Sequence, residues 1–383
     1  MEKVDNQERL NAIAVELQSL FVEFENIYKD SLEKMNRMTE EIDEELSSDE
    51  DNEPLVALPD DNNLLLPDNL SNKSNKILIT KSELFNIENI VDSKNFGWPR
   101  SVKTTEGIMI INEPPERVHS LSLGHTEILA GIMDFNKILA VYSFFYDSTI
   151  SNISEIASTS VEIGYDPEEV VGLNPDMVIA SKYTDPQTVA ILKEAGIPVL
   201  RAELDSSAQG NIPNILLMGY VLGREDAAIS LVNEIEDRLD FLSKKIPNTN
   251  QKRVLSITKW ATIFAAGSNS TEGGIIEQAG AINAAAEVGI NQHKEISIES
   301  IAEINPDVIL LPQPRKGAEE FQKELLNHPV LLEVPAIKNQ KIFHVHPPYY
   351  TTLSHWNVRG IENLCKLLYP DVFSSIIFED FEN

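Results

Sequence analysis

Basic residues are scarce in this chain of 383 residues, where 31 Lys and Arg stand against 61 Asp and Glu for a formal net charge of -30. A surface of that sign repels nucleic-acid phosphate and anionic lipid, so neither is expected as a main partner. Cysteine is scarcer still. Cys365 stands alone, which excludes an internal disulfide, and its apolar helical stripe marks a packed thiol rather than a reactive one. No apolar run approaches the ~20 residues that a membrane-spanning helix needs. The opening "MEKVDNQERLNAIAVELQ" lacks the basic start and apolar core of a secretory signal. Catalytic motifs are missing too: "SLSLGHTE" is not a nucleophile elbow, and "GSNSTEGG" is neither a P-loop nor G-x-G-x-x-G. No catalytic residues are expected, nor an intrinsic cofactor.

What is present is an ordinary globular balance, 42% hydrophobic and 24% charged, in a chain long enough for two or three domains. The acid excess is uneven, since residues 1–95 hold 23 Asp and Glu against 9 Lys and Arg. Residues 1–48 are expected to carry an amphipathic helix over 5–46. There Leu10, Ile13, Leu17, Leu20, Phe24 and Ile27 alternate spacings of three and four. That seam either folds back on its own domain or pairs with a second helix, so self-association through 5–46 is one reading. Residues 49–95 are expected to be an acidic, disordered linker.

From Phe96 the texture alternates. Strands are expected at "RVHSLSL", "KILAVYSF", "DMVIAS", "PVLRA", "RVLSITKW", "DVILLP" and "KIFHVH", with helices between them. Near-continuous aliphatic strands separated by helices mean parallel sheets covered on both faces. Two such runs, 96–211 and 246–383, bracket a helical stretch at 212–245 that is interrupted near "LGRED". The fold class is therefore α/β: two Rossmann-like lobes joined by a long helical span.

One phrase occurs in both lobes. "DPEEVVGLNPDMVIAS" and "SIESIAEINPDVILLP" each start a helix, stop it with Asn-Pro-Asp and run into an aliphatic strand. Asp166 and Ser297 are good N-caps, Glu169 falls at the acid position of a capping box, and Asn-Pro breaks the helix. Glu168 and Glu299 hold the same offset, seven residues before the proline. An acid in a first helical turn is stabilised by the macrodipole, which accounts for each glutamate singly but not for the shared offset.

With these phrases, "LKEAGIPVL", "LGREDAA" and "LLNHPVLLEVPAIKNQKIFHV" follow in order, and the chain from Phe96 to Phe373 resembles a family. It is similar to the iron-siderophore, haem and cobalamin substrate-binding proteins of ABC importers. The resemblance implies a ligand held between two lobes joined by a rigid helix, with only a small lobe closure. It implies permease docking through one exposed glutamate per lobe, at the positions of Glu168 and Glu299. It also implies an extracytoplasmic location, whereas the absence of a visible signal leaves the cytoplasm open. A cytosolic chelate-sequestering protein on the same fold, or a direct metal-ion binder, is the alternative.

Ligands of open α/β sheets bind beyond the carboxyl ends of the strands. Those loops offer Leu123, Gly124, His125, Phe144, Phe145, Tyr146 and Tyr183 in the first lobe. In the second they offer Trp260, Gln313, Arg315, His346, Tyr349 and Tyr350. Aromatic tips suit a large, flat chelate, Arg315 a carboxylate, and Tyr146 the axial position of a ferric haem. His344, His346 and His355 have no ligand-set spacing, so no protein-held metal is expected.

Overall fold

The computed structural model describes residues 81, 86–105, 107–248 and 251–382; the expected helix at 5–46 and most of the acidic linker lie outside the described residues. Two strands, β1 (Arg100–Thr104) and β2 (Gly107–Ile111), form an antiparallel hairpin that leads into the first lobe. In that lobe β3 (Val118–Ser120), β6 (Met177–Ala180) and β7 (Val199–Arg201) are parallel, in the order β3-β6-β7. A second parallel pair, β4 (Val141–Tyr142) and β5 (Glu162–Ile163), follows β3 closely, because Ile138 bridges to Val118 just before β4. Helices α1 (Leu123–Ile132), α2 (Pro167–Gly172) and α3 (Pro186–Glu194) make the crossovers. Met177, Val178, Ile179 and Ala180 are all fully buried, as a strand covered on both faces must be.

The second lobe repeats the scheme around β8 (Arg253–Lys259), flanked by β12 (Val308–Leu311) and then β13 (Ile342–His344), all parallel. On the other side β9 (Ile263–Ala266) pairs antiparallel with β8 and β11 (His293–Ile296) antiparallel with β9, and the short β10 (Ile282–Asn283) pairs with the start of β8. Helices α6 (Thr271–Gln278), α7 (Ile298–Ile304) and α8 (Arg315–Asn327) cover it. The sequence pattern predicts the parallel strands but not β9, β10 and β11. Partly exposed segments such as His293–Ile296 carry no aliphatic run to reveal them.

The repeated phrase has one structure in both lobes. Asn174 and Asn305 take left-handed conformations, φ 50 and φ 53, and end α2 and α7. Asp176 then accepts the Arg117 N–H at 2.9 Å, and Asp307 accepts the Arg253 N–H at 2.9 Å. Each arginine returns a guanidinium bond to the asparagine carbonyl, at 3.1 Å in the first lobe and 2.7 Å in the second. Asn-Pro-Asp thus locks β6 to β3 in the first lobe and β12 to β8 in the second. Capping differs in detail. Ser297 and Ser300 form a capping box at α7, whereas the Glu169 carboxylate accepts the Gly164 N–H at 3.0 Å instead of closing a box with Asp166.

Two domain boundaries move from the sequence reading. The first lobe starts before Phe96: Ile90 is buried in its core and bridges to Val102, so residues just ahead of β1 are packed and not linker. The helical stretch 212–245 is not one connector. Helix α4 (Ile212–Leu222) ends at Gly223, φ 66, and its Ile215, Leu217, Met218 and Tyr220 belong to the first lobe's core. Only α5 (Glu225–Lys245) crosses, with Ala228, Val232 and Ile235 in the first core and Leu242 in the second. Gly219 lets α4 lie on α5, since a Cβ there would meet the Ala228 Cβ at 2.4 Å.

A second helix crosses beside it. Helix α10 (Asn357–Leu368) puts Val358 into the first core and Ile361, Leu364 and Cys365 into the second. Cys365 is fully buried and its thiol is pushed up to about 12 by burial, which keeps it inert. The segment after α10 straps both helices. Arg238 on α5 donates to the Glu379 carbonyl at 2.7 Å and lies over the Phe381 ring, and Arg359 on α10 donates to Asp380 at 2.8 Å. Two packed helices and a strap therefore run between the two cores.

Candidate functional site

The carboxyl ends of β3, β6 and β7 open into a cavity of about 270 Å³. Its first-lobe wall is Ser122, Leu123 and Gly124 at the start of α1, Ile150, Ser181 to Tyr183 after β6, and Leu204 after β7. Its second-lobe wall is Thr351, Thr352 and Leu353, which follow β13 at the end of the short helix α9 (Pro347–Thr351). The lining is chiefly apolar, with hydroxyls and one lysine at its margins.

Close packing brings the two walls together. A Cβ on Gly124 would meet the Leu353 carbonyl oxygen at 2.5 Å and the Leu204 side chain at 2.8 Å, so only glycine permits this approach. His125 fixes the turn from within. It is buried; its Nδ1 pairs with the Ser122 hydroxyl at 2.6 Å and its Nε2 with the Ala202 carbonyl at 3.1 Å. Burial pushes its imidazole down to about 4, so the ring is neutral, with Nε2 donating to the carbonyl and Nδ1 accepting from serine. Tyr183 stands 73% exposed, and the Lys182 ammonium lies 5.1 Å from its ring centre while pairing with Glu203.

The other expected site residues are placed differently. Phe145 is fully buried in the first lobe; Phe144 stacks on Tyr142, and the Tyr146 hydroxyl donates to the Ser160 carbonyl at 3.4 Å. Tyr350 is fully buried and donates to Asn363 at 2.9 Å. Gln313 is buried, its Oε1 accepting the Lys259 N–H at 2.7 Å. Arg315 points into solvent and pairs with Glu319 one turn along α8. Tyr349 donates to Asp380 in the strap at 3.1 Å, with His346 packed edge-on against its ring. Trp260 is 69% exposed at the β8–β9 turn. Of the expected set, the cavity gathers Leu123, Gly124 and Tyr183, with His125 directly behind them. Burial decides Phe145 and Tyr350, which pack under their own lobes because apolar area is at hand.

The sequence reading missed Ile150, Leu204 and Thr351 to Leu353. Their only signal was position after a strand. Glu168 and Glu299 are both exposed at the second position of their helices. The Glu299 carboxyl is held below its usual range by its own backbone N–H and the Ser297 hydroxyl, the local effect expected of a helix start. Among the described residues no group of three His, Cys, Asp or Glu is placed to hold a metal ion.

Two lobes, crossed by helices and meeting at a cavity beyond their strand ends, define a two-lobed substrate-binding protein. The Periplasmic binding protein family model matches residues 118–349, and the chain belongs to that family. It is 29% identical over 210 residues to the "Cobalamin-binding protein" of Halobacterium salinarum, covering 52% of this chain and 54% of that protein. The chain thus spans about half the length of that relative. It is 25% identical over 271 residues to the "Uncharacterized ABC transporter substrate-binding lipoprotein YvrC" of Bacillus subtilis, covering 69% of this chain and 83% of that protein. Among solved structures it is similar to the periplasmic heme-binding protein RhuT from Roseiflexus sp. RS-1 in apo form. That match has a TM-score of 0.59 and 25% identity over 67% of this chain and 99% of the other.

Proposed function

We propose that this chain is the binding subunit of an ABC importer, working outside the cytoplasm, and that its cargo is a chelate whose metal is already coordinatively satisfied, of the corrinoid type. The observation that carries the reading is the make-up of the cavity. Its lining offers apolar contact and hydroxyls, and none of its residues is a His, Cys, Asp or Glu. A chelate that brings its own metal ligands needs none from the protein. The cavity volume of about 270 Å³ lies just below the usual span of ligand pockets, roughly 300–1,000 Å³. A macrocycle therefore seats part of itself inside and leaves the rest at the mouth, where Tyr183 offers its ring.

Titration of the purified chain with cyanocobalamin, followed by visible absorbance and calorimetry, tests this. Saturable one-to-one binding is expected; no binding of cyanocobalamin beside tight binding of a ferric siderophore or haem overturns the corrinoid reading. Ferric haem is the second reading, favoured by Tyr183 alone, with its exposed hydroxyl-bearing ring beside Lys182. In that case the haem spectrum must change in Tyr183→Phe.

Delivery through Glu168 and Glu299 belongs to the same proposal and is supported by their matched, exposed positions. Glu168→Gln and Glu299→Gln are expected to leave cargo affinity intact and melting within about a degree or two, because cap effects are small. Uptake with the cognate permease is expected to fall sharply in the double variant. Unchanged uptake would return both glutamates to helix capping.

A further inference from the structure

Beneath the cavity lies an acid without a cation. Glu127 on α1 is fully buried. Its Oε1 accepts the Asn152 backbone N–H and side-chain Nδ2, each at 2.9 Å, and its Oε2 accepts the Ser354 hydroxyl. The Asn152 Nδ2 also donates to the Pro348 carbonyl at 3.0 Å and approaches the Thr352 hydroxyl at 3.4 Å. One carboxyl thus gathers three segments, and each lines the cavity a few residues away: α1 through Leu123 and Gly124, the 147–153 loop through Ile150, and the second lobe through Thr351 to Leu353.

We propose that Glu127 is a proton-linked positioning residue for the cavity wall: with its proton it holds the 348–354 segment of the second lobe on α1, and without it that contact loosens. The inference rests on the cavity being the cargo site.

The titratable groups on the elements packed around α1 do not balance the Glu127 charge, and none acts on it beyond its hydrogen-bond partners. On α1 itself His125 is neutral and bonded at both nitrogens. On β3 the buried His119 is pushed down to about 4 by desolvation, and beside Ser354 the buried His355 is pushed down to about 3. From α4 comes Tyr220, whose hydroxyl donates to the Asp92 carbonyl. From α5 comes Arg238, engaged by Glu234 and Glu362. Asp147, at the start of the 147–153 loop, is exposed and accepts from Thr149. Burial therefore outweighs the hydrogen bonds from Asn152, Ser354 and Thr352 and raises the Glu127 carboxyl from 4.5 to about 7.

The sign follows from linkage. The closed arrangement binds the proton more tightly than an opened, solvated one, so closure is fully supported below 4.5 and weakens as pH rises towards about 7. Cargo that needs the closed wall binds more tightly at the acid end.

The test measures cyanocobalamin affinity of the full chain from about pH 5 to pH 8, in wild type and Glu127→Gln, beside melting of the ligand-free protein. The amide that replaces the carboxyl keeps its shape and carries no charge. Wild-type Kd is expected to rise about tenfold or more across the range, since one unit of pKa difference is tenfold, while the glutamine variant stays flat. The ligand-free wild type is expected to lose melting temperature relative to Glu127→Gln over the same window. Ser354→Ala removes a donor that favours the charged form, so its affinity midpoint moves to higher pH. Equal slopes in wild type and Glu127→Gln, or a melting difference that does not change with pH, overturn the latch. If cyanocobalamin binds neither protein while the melting difference opens with pH, the corrinoid reading falls and the proton-linked contact stands.

Discussion

Gly124→Val is expected to abolish cargo binding while the lobes still fold. The position lies in the first turn of α1, where the backbone touches the second lobe: an added Cβ alone reaches to 2.5 Å from the Leu353 carbonyl oxygen. That oxygen is backbone and cannot swing aside as a side-chain end would. The 351–353 wall must move out, and overpacking of this kind costs about 1–3 kcal/mol. Gly124→Ala, with the Cβ only, should weaken affinity by about tenfold as part of that cost falls on the bound state. Gly172→Ala is the control, because nothing lies within 4 Å of a Cβ there. Calorimetric titration of the three variants gives the ranking; wild-type affinity in Gly124→Val would mean that the cavity between these walls is not the cargo site.

Arg100→Ala is expected to destabilise the protein by about 3–5 kcal/mol, among the largest single-residue effects in the first lobe. Arg100 is only 3% exposed, yet it is charged. Its guanidinium pairs with Glu225 at the start of α5 and donates to the carbonyls of Tyr220, Phe96 and Gly97. It also lies between two rings, 4.3 Å from the centre of Trp98 and 4.7 Å from that of Tyr220. Removal leaves a buried carboxylate unpaired at the point where α4 turns into the crossing helix. Arg100→Met combined with Glu225→Leu should recover a good part of the loss, because the pair gains little once its desolvation is counted. Denaturant titration of both decides it. A loss below about 1 kcal/mol in Arg100→Ala would show that water reaches Glu225.

Much of the architecture was legible in the chain itself. Aliphatic runs such as "DMVIAS" and "DVILLP" state parallel strands covered on both faces, and the two Asn-Pro-Asp phrases state that one lobe scheme occurs twice. Helix starts at Asp166 and Ser297, the break at Gly223 and the packed thiol of Cys365 are local matters, fixed by cap chemistry, backbone freedom and apolar periodicity. Local chemistry is written in neighbouring residues, so it can be read there.

The cavity was not. Its walls come from Gly124, Ile150, Tyr183, Leu204 and Leu353, which are dispersed along the chain and meet only because two sheets and two crossing helices bring them together. Phe145 and Tyr350 look as suitable as Tyr183 in the sequence, yet both are fully buried while Tyr183 is 73% exposed. Strand ends offer every aromatic the same chance of facing a ligand. Which one does so depends on the apolar area its own lobe has left to cover, and that is settled only when the whole core has packed. Glu127 is the sharpest case. In the chain it is one acid among 61 Asp and Glu; it becomes a buried carboxyl between two lobes only through Asn152 and Ser354, 25 and 227 residues away.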